Sequence, residues 1–99
     1  MIELNSKQRK ILEKAAHNLQ PVVIVGGAGV TDGLIQMVDT SVKAHELIKI
    51  KFNEYKDEKV DLTQKICAAC DVTLVRIIGN VAIVYRPADD PEKRLIKLD

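Results

Sequence analysis

Apolar and polar positions along the 99-residue chain change their period repeatedly, and each change marks an element. After Asn5 and Ser6, both good helix-capping residues, Leu4, Ile11, Leu12, Ala15, Ala16 and Leu19 gather on one side of a helical wheel. This predicts a first helix over residues 6–17, with His17-Asn18 as its exit and Pro21 opening the next segment. Lys7, Lys10 and Lys14, spaced i, i+3, i+7, share a narrow sector beside the apolar side. Val22-Val23-Ile24-Val25 is then a continuous β-branched run ending at Gly26. Continuous apolarity predicts a strand covered on both faces, central or parallel in its sheet.

Beyond the glycines, Thr31 reads as an N-cap, Asp32 suits the positive helix end, and Val30 can staple onto Ile35. Leu34, Ile35, Val38 and Val42 carry a 3.6-residue stripe to about Ala44, with Gly33 weakening the first turn. Residues 47–52 switch to period two: Ile48, Ile50 and Phe52 point one way, Lys49 and Lys51 the other, towards solvent or a ligand. A polar loop, Asn53–Asp57, precedes a third helix from about Glu58 to Ala69, with Leu62, Ile66 and Ala69 facing inward. Val72–Ile78 is a strand, Gly79-Asn80 a two-residue turn of the kind favoured in hairpins, and Val81–Arg86 returns antiparallel. From Pro87 onward the chain is charged and proline-interrupted, with only Leu95, Ile96 and Leu98 to pin it. Residues 88–99 are therefore expected to form a loosely packed tail.

The predicted order is αβαβαββ: a single α/β domain over residues 1–99, its four-stranded mixed sheet packed with three helices. Composition agrees, since a 46% hydrophobic fraction is that of a globular chain. No apolar run approaches the ~20 residues a bilayer span requires. The N-terminus lacks the order of a signal peptide, so the expected compartment is the cytosol, where Cys67 and Cys70 stay reduced. A net charge of +1 neither argues for nor against a polyanionic partner. Any such surface must come from local clustering.

Four segments together resemble the YhbY family, whose unit is also called the CRM domain. They are Leu4–Lys10 with Leu12 and Ala15-Ala16-His17; Pro21–Thr31 with its GxxG loop; His45–Phe52; and Ile78-Gly79-Asn80 with Val84-Tyr85-Arg86-Pro87. The likeness runs over about residues 4–87, in order and spacing. It implies a fold similar to the C-terminal domain of bacterial translation initiation factor three. It also implies RNA binding, with the bacterial single-domain members associating with precursors of the large ribosomal subunit.

The GxxG loop has a physical rationale of its own. Gly26, Gly27 and Gly29 allow positive φ and a close backbone approach, and the helix start capped by Thr31 turns amide N–H groups and a positive dipole end outward. That combination suits a phosphate, and KH domains clamp an RNA backbone with such a loop. The middle positions, Gly27 and Ala28, offer no side-chain charge, so affinity must lean on amides and neighbouring lysines. Lys7, Lys10 and Lys14 form a second candidate contact; their alternative reading is a solvated helix face. Lys49 and Lys51 are a third, against a role in edge-strand protection. Arg86 is a fourth. With only Phe52, Tyr55 and Tyr85 aromatic, recognition of shape and backbone fits better than aromatic base stacking.

Other chemistry is weak. Cys67-Ala68-Ala69-Cys70 lies near a helix end, where the dipole has the wrong sign to activate a thiol, and zinc would need two further ligands. His17 and His45 fall at helix C-termini, Asp39-Thr40-Ser41 has no histidine at a useful spacing, and Gly26–Gly29 lacks the Lys-Ser/Thr of a Walker loop. The expectation is an RNA-binding protein with no catalytic activity, cofactor, metal, membrane or small-molecule substrate. A protein–protein adaptor on the ribosome or on a translation factor is the alternative.

Overall fold

The computed structural model describes residues 1–98; Asp99, the end of the expected tail, lies outside them. Along the chain come α1 (Ser6–Ala16), β1 (Val23–Val25), α2 (Asp32–His45), β2 (Leu47–Phe52), α3 (Lys59–Cys70), β3 (Thr73–Ile78) and β4 (Val81–Tyr85). Short 3-10 turns stand at Lys56–Glu58 and Pro91–Lys93. The αβαβαββ order is the one the hydrophobic periods predict.

Local chemistry sets the helix starts. Asn5 accepts from the Gln8 amide at 2.8 Å and Gln8 accepts from the Asn5 amide at 3.1 Å, a reciprocal capping box on α1. Thr31 accepts from the Leu34 amide at 3.1 Å and caps α2. The hairpin between β3 and β4 pairs Ile78 with Val81, and Gly79 at φ 57 supplies the positive dihedral that the two-residue turn demands. No helix among the described residues is long and apolar enough to cross a membrane.

The sheet runs β1-β2-β4-β3, with β1 parallel to β2 and the other pairings antiparallel. On one face, Val23, Val25, Ile48, Ile50, Phe52, Ala82 and Val84 meet Val38 and Val42 of α2 and Ile66, Cys67 and Cys70 of α3. On the other, Leu47, Val75, Ile83 and Tyr85 are roofed by Leu12 and Ala16 of α1. Each fully buried aliphatic side chain stabilises by roughly 1.5–3 kcal/mol, so the first, larger cluster carries most of the core.

Several expectations are corrected. β1 is parallel as expected, but it is an edge strand and is not covered on both faces: Ile24 is 54% exposed because α1 roofs only part of its face. β2 is internal, so Lys49 and Lys51 guard no edge. Along α3, Ala69 is exposed, and Cys67 and Cys70 take the inward positions beside Ile66. After Pro87, the Leu95 side chain does not pin the chain, and Leu95 is 66% exposed; the fastening comes from elsewhere. The buried Glu46 carboxylate accepts from the amides of Ala88, Leu95 and Ile96 at 2.7, 2.8 and 3.2 Å, and Ile96 and Leu98 pack on the α1 cluster.

Candidate nucleic-acid interface

The glycine loop begins where β1 ends. The Gly29 N–H donates to the Gly26 carbonyl at 3.0 Å, closing a four-residue turn that leads into the capped start of α2. Gly29 sits at φ 73, where a side chain would be strained. Gly26 and Gly27, equally free to take positive φ, do not adopt it. Gly27 and Ala28 are exposed, and among the described residues their amides donate to no other group. The turn thus presents two open N–H donors at its tip and a helix N-terminus just behind them.

Sequence reasoning missed the residue that braces this turn. Tyr55 donates its hydroxyl hydrogen to the Gly27 carbonyl at 2.8 Å, and its ring passes 3.5 Å from where a Cβ on Gly29 would stand. The Tyr55 backbone is itself left-handed at φ 56, which is costly for a bulky residue and is held by its surroundings. The amides of Asn53 and Glu54 both donate to the Val25 carbonyl, seating this segment against the end of β1. The cleft beside Gly27 is lined by Asn53, Glu54, Tyr55, Lys56, Asp57 and Glu58, so it is acidic on balance. That balance makes the cleft unfavourable for an anion. The only sequence signal for Tyr55 was a lone aromatic in an otherwise polar loop.

Lys7, Lys10 and Lys14 are all exposed and border a shallow hollow with Ser6 and Ile11. On the helix they lie opposite Leu12 and Ala16, so they project from the roof that α1 makes over the sheet. Arg9 is structural: its Nη1 donates to the carbonyls of Leu74 and Val75 at 2.8 and 2.7 Å, where β3 bulges. Lys49 and Lys51 alternate with the buried Ile48 and Ile50 and share the α1 side of the sheet with Leu47. Lys49 Nζ donates to the Leu19 carbonyl at 3.0 Å; Lys51 is exposed.

The candidates therefore do not all converge. The glycine loop, Lys49, Lys51 and the α1 lysines occupy the loop end and the α1 side. Arg86 stands at the opposite end of the sheet, beyond the pairing of Leu47 with Tyr85. Its guanidinium is engaged, donating to Asp39 Oδ1 at 2.9 Å and to the Cys70 carbonyl at the end of α3, and it is 21% exposed. The arginine beside Asp39 holds that carboxyl below its usual range, with Lys43 adding to the effect. The cysteines are buried in the core; burial pushes the Cys67 thiol up to about 11 and raises Cys70 as well. Neither is an activated nucleophile.

These features define a small α/β domain whose candidate site is built from backbone amides and lysines. The sequence profile of the CRS1 / YhbY (CRM) domain matches residues 4–86, and the chain belongs to that family. An RNA-binding protein of Haemophilus influenzae is 32% identical over 96 residues, covering 96% of this chain and 97% of that protein. The Pseudomonas aeruginosa protein PA4753, named as a probable RNA-binding protein, is 36% identical over 93 residues, covering 93% of this chain and 89% of that one. The solution structure of the hypothetical protein SAV1595 from Staphylococcus aureus superposes with a TM-score of 0.77 at 28% identity, covering 96% of this chain and all of that one.

Proposed function

We propose that this protein binds RNA through the Gly26–Gly29 turn, Thr31-capped α2 and the Lys7, Lys10 and Lys14 face, with Lys49 and Lys51 between them. Its target in this reading is ribosomal RNA of a large-subunit precursor, met in the cytosol, and it performs no catalysis. The observation that carries the reading is the exposed turn tip, where Gly27 and Ala28 offer unused amides beside a helix N-terminus in a CRM-family chain. A phosphate oxygen can sit against these donors without a side chain in the way. The surrounding lysines add attraction that is independent of base sequence and sensitive to salt. Arg86 has no part in this contact.

The test is Gly27→Asp. Nothing stands within 4 Å of a Cβ added there and its φ is not positive, so the fold tolerates the change. The new carboxylate repels phosphate at close range, and affinity for a structured precursor ribosomal RNA fragment should fall about tenfold at low salt. Unchanged affinity in the folded variant removes the turn from the site. Retained ribosome association by a variant that also lacks the α1 lysines would turn the assignment to a protein–protein adaptor.

A further inference from the structure

Residues paired in register across a sheet share a face, and here they form a row that the core does not use. Ile24 of β1 pairs with Lys51 of β2, Lys51 with Val81 of β4, and Val81 with Ile78 of β3. The row crosses the whole sheet on the α1 side, over three inter-strand spacings, roughly 14 Å. Ile24 and Ile78 at its ends are each 54% exposed, Val81 is half-buried, and Val22 beside Ile24 is exposed as well. Helix α1 roofs Leu47, Val75, Ile83 and Tyr85 and stops short of this row. The next row inward carries Lys49 and Arg76 on either side of Ile83. Arg76 of that row is paired with Glu13 at 3.5 Å, which leaves Lys49 and Lys51 as the cations beside the strip.

An apolar strip with a lysine at its centre and further cations behind it fits a partner that alternates flat apolar groups with negative charge. Unpaired RNA has that chemistry; a duplex does not, because its base faces are stacked away. The position strengthens the fit. Ile24 lies two residues before Gly26 on the strand that leads into the turn, and α1 stands on the other side of the strip. The strip thus lies between the part of the sheet that α1 roofs and the turn.

We propose that this open end of the sheet is a surface for unpaired nucleotides, with bases laid on Ile24, Val81 and Ile78 and phosphates drawn to Lys51. The inference rests on the RNA-binding reading and adds a preference for single-stranded segments, supplied by aliphatic side chains. The probes are a twelve-nucleotide uridine oligoribonucleotide and a twelve-base-pair RNA duplex, each titrated by fluorescence anisotropy. The double variant Ile24→Thr/Ile78→Thr keeps strand-favouring residues at exposed positions, and a thermal melt checks its fold. It should bind the uridine strand about ten- to hundredfold more weakly, with an unchanged salt slope and unchanged duplex affinity. Lys51→Gln should flatten the slope for the single strand by about 0.7. Equal losses on both probes, or none while the wild type binds, would overturn the surface and leave the turn assignment standing. Absence of wild-type binding to either probe and to the ribosomal fragment would bring down the RNA reading itself. A wild-type dimer, seen by light scattering and abolished in the double variant, would make the strip a contact between copies.

Discussion

The two ends of the sheet use the same kinds of residue for opposite purposes. At the loop end, the turn after β1 leaves the amides of Gly27 and Ala28 open, and exposed Lys51 stands nearby. At the other end, charged groups are consumed internally. Glu46, 2% exposed and held at φ 63, accepts three amides from the C-terminal segment, while the Arg86 guanidinium spans Asp39 and the last carbonyl of α3. A buried charge that meets several donors or acceptors fastens structure, and an exposed one beside open backbone groups is available to a ligand. Residue type alone does not separate an engaged charge from an open one: Arg86, a candidate RNA contact by sequence, is held by Asp39 and the Cys70 carbonyl.

The comparison can be broken most forcefully at Glu46. Glu46→Ala leaves three part-buried amides without their acceptor and should destabilise by about 2–4 kcal/mol in urea unfolding, with faster tryptic cleavage after Lys93 and Arg94. The folded fraction should keep its RNA affinity. A destabilisation under about 1 kcal/mol would mean that the carboxylate does not staple the tail.

Arg86→Ala comes next, at about 1–3 kcal/mol, because it frees the Cys70 carbonyl and unpairs Asp39. The pH dependence has a definite sign. Asp39 is held below its usual value in the folded protein, so its pairing stabilises at neutral pH, and that contribution is lost as pH falls below about 4. The stability gap between wild type and variant should therefore narrow in acid. The salt dependence of RNA binding should be the same for both; a slope reduced by about 0.9 would put a phosphate on Arg86 and dissolve the division between the two ends.

The smallest effect on stability should come from replacing Lys7, Lys10 and Lys14 together with Gln. Melting should shift by no more than about 0.5 kcal/mol, as for exposed surface changes, while the slope of log K against log[salt] flattens by up to about 2–3. Salt titrations on one ribosomal fragment decide it, and parallel slopes would return these lysines to plain solvation.

The sequence by itself determined whatever is governed by neighbours a few residues apart. Asn5, Thr31 and Gly79 declare two helix starts and a hairpin turn because each acts on backbone within three positions, and the spacing of Lys7, Lys10 and Lys14 fixes a shared helix face. The element order followed, and with it the neighbourhood of the glycine turn. Only the tertiary structure decided what depends on pairings distant in the chain. Those pairings made β1 an edge with Ile24 bare, placed Lys49 and Lys51 on an internal strand, and brought Tyr55 under Gly27 from 28 residues away. They also spent Arg86 on Asp39, 47 residues earlier. Hydrophobic period specifies which side of a strand is apolar, but how far a helix covers that side is set by sheet order and packing. The row from Ile24 to Ile78 therefore exists only in the folded protein.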